Sequence, residues 1–132
     1  MILADTSVLI DFFKGTSNTA VAKLEHIISA NVPFGITTFI YQEILQGAST
    51  EKEFTHLKQY LDTQIFYELR NGRESFASAA KMYYKCRKAG ITVNSTVDLL
   101  IVQTALENNL ALLHNDTDFV NIKKVVSELK IF

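Results

Sequence analysis

Very short apolar runs alternate with longer stretches of helical periodicity from one end of this chain to the other, and that alternation leaves it few folds. Residues 1–4, 32–36, 64–67 and 110–113 read as strands, the second despite Pro33 near its start. Between them, residues 6–13, 19–30, 38–46, 51–61, 73–88 and 96–108 read as helices. Val21, Leu24, Ile27 and Ile28 recur at helical spacing, as do Phe54, Leu57 and Leu61. Gly15, Gly47 and Gly90 stand where helices stop, and Asn31 has the same place after the second helix. Residues 116–119 read as a turn, and residues 125–129 as a last strand weakened by Ser127-Glu128. Strands this short, joined through helices, predict right-handed βαβ units. The expected fold is α/β, with a central, mostly parallel sheet of four to five short strands and helices on both faces.

A length of 132 residues fits one domain, residues 1–132, and is enough to bury a core. A net charge of −1 excludes a protein that coats nucleic acid through bulk charge, so any such contact is local. The one cysteine, Cys86, has no partner for an internal disulfide and fits a reducing compartment. No basic and then apolar leader opens the chain, and no apolar run approaches the ~20 residues of a membrane helix. The expectation is a cytoplasmic protein without a membrane partner.

Within this alternation four acidic signatures stand out: Asp5, Glu43, Asp98, and Asp116 with Asp118. Asp5 ends the first strand and Asp116 follows the fourth, while Glu43 lies on the helix after the second. In parallel α/β sheets the working site lies outside the carboxyl ends of the strands, so these acids can share a pocket. Asp98 opens the helix before the fourth strand. Coarse topology sets it at the opposite edge unless the preceding loop brings it back.

Each acid also has a local reading. Asp5 suits an N-cap, which is compatible with metal binding because a carboxylate has several acceptor sites. Ser95 and Asp98 match a capping box, although the Leu99-Leu100-Ile101-Val102 run after Asp98 marks a buried helix. Glu43 borders an apolar face between Ile40 and Ile44, where a charge needs a partner. Asn115, Asp116 and Asp118 suit a turn, with Asp116 the expected ligand and Asp118 a cap or support behind it. His114 reads as a neighbour of the site, and His26 and His56 as polar helix positions. Carboxylates without Cys or a second His suit a hard, oxygen-preferring cation, Mg²⁺ or Mn²⁺. Two unit charges ~4 Å apart repel by roughly 4 kcal/mol at an effective dielectric of ~20, so such a cluster calls for a cation or a shared proton.

Taken in order, Asp5-Thr6-Ser7-x-Leu9-Ile10, Glu43-Ile44-x-x-Gly47, Asp98-Leu99-Leu100-Ile101-x-x-x-Ala105 and Leu112-Leu113-His114-Asn115-Asp116-x-Asp118-Phe119 resemble the four motifs of PIN domains. The likeness is nearest to the VapC-type toxin ribonucleases of toxin–antitoxin pairs. It departs at His114, where the family more often has threonine. The resemblance implies a three-layer PIN-like fold and a loop that brings Asp98 to Asp5. It implies a Mg²⁺-dependent endoribonuclease that leaves a 5′-phosphate and a 3′-hydroxyl, with Asp5, Glu43, Asp98 and Asp116 as catalytic and metal residues. Ser7, Asn115 and Asp118 would stand behind them. RNA would be the substrate, and a second copy and a small antitoxin the protein partners.

Lys81, Lys85 and Lys88 share a helical stripe, with Arg87 close by, and suit either phosphate contacts or a solvated face. Phe12-Phe13 and Tyr83-Tyr84 place adjacent rings about 100° apart on a helix, which leaves one ring of each pair for a partner. The competing reading is a catalytically silent PIN-like module that binds RNA or protein; loss of one of the acids would favour it, and none is missing. A phosphoryl-transfer enzyme of another type is disfavoured, because Ser7 stands where a second aspartate would follow Asp5 and no glycine-rich Lys-Ser/Thr loop is present.

Overall fold

Three buried residues, Ile2-Leu3-Ala4, form the central strand of the sheet. The structure, a computed structural model, describes all 132 residues. In chain order the elements are β1 (Ile2–Ala4), α1 (Thr6–Phe13), α2 (Thr19–Ser29), β2 (Phe34–Ile36), α3 (Thr38–Gln46), α4 (Glu51–Leu61), β3 (Ile65–Phe66), α5 (Arg73–Lys88), α6 (Thr96–Glu107), β4 (Ala111–Leu113), α7 (Thr117–Val125) and β5 (Lys130–Ile131). The strands pair in the order β3-β2-β1-β4-β5. Every pairing is parallel, and helices flank the sheet. The expected α/β fold is therefore present, with five strands.

Several elements differ from the sequence reading. Residues 116–119 open a helix rather than making only a turn: Phe119 and Ile122 lie three apart and are both fully buried, so a helix seats them where a turn could not. The last strand falls at Lys130–Ile131, not at residues 125–129. Val126 and Leu129 are buried, yet their backbone turns, with the Leu129 N–H donating to the Val126 carbonyl at 3.2 Å. The second strand also starts later than expected, at Phe34, because Pro33 has no N–H for a ladder.

Strand order fixes the place of the site. From β1 the sheet grows through β2 and β3 on one side and through β4 and β5 on the other. The crevice at such a switch in direction lies beyond the carboxyl ends of β1 and β4. Register matches it, since Ala4 pairs with Leu113, the last residues of the two strands. On the β2 side Gly35 is needed for packing. A Cβ there would run into the Tyr67 ring and stand 2.8 Å from the Ile65 carbonyl oxygen.

Candidate metal centre at the carboxyl edge of the sheet

Two aspartates are delivered by the strands themselves. Asp5 follows β1, and its N–H donates to the Leu113 carbonyl of β4 at 2.9 Å, which prolongs the ladder by one residue. Its side chain caps α1, with Oδ2 accepting the Ser7 N–H at 3.0 Å and the Ser7 hydroxyl at 2.7 Å. Asp116 follows β4 and caps α7, with Oδ1 accepting the Asp118 N–H at 2.9 Å. Each cap engages one oxygen of its carboxylate; the second oxygen takes no part in it. The local reading and the site reading thus hold together.

Asp98 lies at the same edge, against the expectation from coarse topology. The reason is the tightness of the step from α6 to β4, which passes through Asn108, Asn109 and Leu110, with Asn109 in the left-handed region at φ 54°. So short a reversal lays the end of α6 beside the start of β4, and the two run in opposite senses. The first turn of α6 therefore lies at the carboxyl end of β4. Nor does Asp98 complete a capping box. The Ser95 hydroxyl oxygen accepts from the Val97 N–H at 3.2 Å, and the Asp98 carboxylate makes no return bond to Ser95.

Carboxylate oxygens of Asp98, Asp116 and Asp118 all lie within 4.8 Å of one another. Asp118, expected as a cap or support, is thus in the tightest group. It is buried and held by Asn94, whose side-chain amide donates at 3.2 Å to Oδ1 and whose backbone N–H donates at 3.3 Å to Oδ2. Glu43 stands on the Asp5 side, half-buried, with Oε1 accepting the Thr6 hydroxyl at 2.9 Å. Ser7 links the two halves, for its oxygen also accepts the Asn115 N–H at 2.9 Å.

Electrostatics reflect this crowding. Burial raises the pKa of Asp5 to about 6; the hydrogen bonds from Ser7 oppose the rise, and the Glu43 charge adds to it. Burial, followed by the charges of Asp5, Asp116 and Asp118, raises Asp98 to about 7. Asp5 stands just outside the tightest group, yet its charge is the largest influence on Asp98 after burial. No cation relieves the repulsion, since the one ion pair of the molecule joins Lys58 to Asp62 on α4 and just beyond it. An oxygen-only donor set at this spacing, without a compensating side chain, fits a hard divalent cation.

Neighbouring side chains take supporting places. The His114 Nδ1 accepts the Asp116 N–H at 3.1 Å and its ring packs on Phe119; burial lowers its pKa, which favours the neutral imidazole. His26 and His56 are exposed on their helices. Thr6 stands in the first motif without a role assigned to it from the sequence, and Asn94 was not singled out at all. Thr6 carried a faint signal, being on the same helical turn as Asp5. Asn94 carried none, because its partner lies 24 residues away. Lys81, Lys85 and Lys88 are exposed; Lys81 lies over the Tyr84 ring, and Lys81 and Lys85 edge a hollow of about 310 Å³ with Gln103 and Glu128. Phe12 and Phe13 both pack against the core, whereas Tyr83 and Tyr84 remain exposed.

The sequence profile of the PIN domain matches residues 2–125. The chain belongs to the PIN domain family. Among curated relatives, the VapC ribonuclease Mb1587 of Mycobacterium bovis is 29% identical over 128 residues, covering 96% of this chain and 95% of that protein. Ribonuclease VapC11 of Mycobacterium tuberculosis matches to the same extent. Solved structures share the fold. VapBC2 from Rickettsia felis, bound to a DNA fragment from its promoter, aligns with a TM-score of 0.76 at 17% identity, over 100% of this chain and 98% of that one. VapBC-1 from nontypeable Haemophilus influenzae aligns with a TM-score of 0.72 at 20% identity, over 100% and 97%. No helix of this PIN domain is long and apolar enough to cross a membrane.

Proposed function

We propose that this PIN domain is a Mg²⁺-dependent endoribonuclease and the toxin of a type II toxin–antitoxin pair, acting in the cytoplasm as a homodimer restrained by a small antitoxin. The observation that carries the reading is the meeting of Asp98, Asp116 and Asp118 beside Asp5, in a PIN fold with all four acidic motifs in order. Its curated relatives are VapC ribonucleases, which supports ribonuclease activity, and solved structures of the same fold are toxin–antitoxin complexes, which supports an antitoxin partner. A silent binding module has no observation in its favour.

Asp98, Asp116 and Asp118 would hold the ion, with Asp5 next to them and Glu43 behind Asp5. Bound there, a divalent cation supplies Lewis acidity toward a phosphate oxygen and lowers the pKa of water; Mn²⁺ could replace Mg²⁺. The residues of the chain bind and orient. Ser7 fixes Asp5, Thr6 fixes Glu43 and Asn94 fixes Asp118. Hydrolysis adds water across the phosphorus–O3′ bond: oxygen attacks phosphorus, the bond to O3′ breaks, and O3′ takes up a proton. The carboxylates are the nearby groups able to accept the proton that the attacking water loses. Lys81, Lys85 and Lys88 would bind flanking phosphates; if so, neutralising them flattens the salt dependence of RNA binding, and an unchanged slope removes them from the interface.

The test is cleavage of single-stranded RNA with Mg²⁺, with EDTA, and with Asp5→Asn or Asp98→Asn. Activity is expected with Mg²⁺ alone. Full activity in EDTA, or wild-type activity in both variants, defeats the proposal.

A further inference from the structure

Asp11 is the acid of this region that the metal centre does not use. It lies on α1, half-buried, and no cation pairs with it. Instead its Oδ2 accepts two side-chain amides, from Asn18 at 3.0 Å and from Asn115 at 2.9 Å. Asn18 caps α2 through its own Oδ1. Asn115 lies in the connection between β4 and α7, immediately before Asp116. A further negative charge close to an acidic centre is electrostatically unfavourable, so the acceptor oxygen must account for its presence.

Asn115 donates both ways, its side chain to Asp11 and its backbone toward the centre. With its amide turned to Asp11, Asn115 donates its backbone N–H to the Ser7 oxygen at 2.9 Å. A hydroxyl has one proton, and with its oxygen already accepting, Ser7 directs that proton to Asp5 Oδ2 at 2.7 Å. One carboxylate on α1 therefore bears on both halves of the centre. Through Asn115 it holds the loop that carries Asp116, and through Asn115 and Ser7 it sets the Asp5 carboxylate.

We propose that Asp11 is a positioning residue for the metal centre, fixing Asp5 and Asp116 relative to one another through Asn115 and Ser7. The inference rests on the reading of the acidic cluster as a divalent-cation site. It assigns Asp11 no contact with metal or RNA.

Mn²⁺ binding, followed by electron paramagnetic resonance, and cleavage of a mixed-sequence RNA oligonucleotide give the test, both well below the melting temperature of each variant. Asp11→Ala is expected to weaken Mn²⁺ binding about tenfold, the low end for a partner that orients a ligand, and to lower kcat with KM nearly unchanged. Asp11→Asn keeps an acceptor oxygen for both amides and is expected to stay near wild type. Asn18→Ala removes the α2 cap but not the Asn115 contact; it should lower the melting temperature and spare Mn²⁺ binding. In a double-mutant cycle, Asp11→Ala and Ser7→Ala should be less than additive on Mn²⁺ affinity.

Several results would overturn the proposal. They are Asp11→Ala binding Mn²⁺ as wild type does, Asp11→Asn failing as badly as Asp11→Ala, Asn18→Ala matching Asp11→Ala, or strict additivity with Ser7→Ala. Wild-type protein that binds no Mn²⁺ is a different failure: it removes the cation site itself, and this inference with it.

Discussion

At the residue scale, Asp98 shows how one side chain can have its chemistry set by its surroundings. Its carboxyl has a proton affinity raised by burial and by three acidic neighbours. A group whose folded pKa lies above its unfolded value stabilises the fold at low pH, and the contribution is lost as pH rises through the folded pKa. Both Asp5, raised to about 6, and Asp98, raised to about 7, act in this sense. In EDTA the melting temperature should therefore fall between about pH 4 and about pH 7. His114 works the other way in the same window, since its lowered pKa adds stability as pH rises. The comparison with Asp98→Asn separates them: that variant should lose much of the downward slope in thermal melts. A slope as steep as wild type would mean that Asp98 titrates normally and is not crowded.

At the element scale, helix caps and site residues coincide. Asp116 caps α7 with one oxygen and lies in the acidic group. Asn caps a helix as well as Asp does, whereas Ala does not. Asp116→Asn and Asp116→Ala relieve the same repulsion, so their difference in stability isolates the cap at about 1 kcal/mol. Both should bind Mn²⁺ poorly in titration; retained binding by either would place Asp116 outside the centre. The β2–β3 side makes a separate prediction. Gly35→Ala drives a Cβ into the Tyr67 ring and the Ile65 carbonyl oxygen, and should destabilise the fold by about 1–3 kcal/mol in denaturant unfolding. A neutral result would show that the ring and the neighbouring strand both yield without cost.

At the scale of the whole molecule, the sheet is a frame with an apolar centre and an acidic carboxyl edge. The core beneath the site is continuous, with β1, α6 and β4 contributing fully buried residues such as Leu3, Ile101 and Leu112. Above it stands a set of carboxylates without a counter-charge. A cation that binds only the folded state should raise stability by about 2.7 kcal/mol at a hundredfold excess over its dissociation constant. Melting with added Mg²⁺ should rise by several degrees at about pH 8 and by less at about pH 5, where protons compete for the same oxygens. No shift at either pH would remove the metal centre.

Much of this was written in the order of residues. Apolar runs and helical periods specify strands and helices locally, so the α/β class, the parallel sheet and the residues that follow each strand could be read directly. The four acids could be named for the same reason, because each sits at a recognisable junction. What the chain alone left open was distance. Whether Asp98 meets Asp5 depends on the sense in which α6 passes into β4, and that is settled by a reversal through Asn109 that no periodicity reports. The start of α7 looked like a turn because its Asn and Asp residues favour both, and burial of Phe119 and Ile122 decided between them. Asn94 with Asp118, and Asp11 with Asn115, are joined only in space. Local propensity acts over a few residues, whereas these partners lie 24 and 104 positions apart, so only the packed sheet could bring them together.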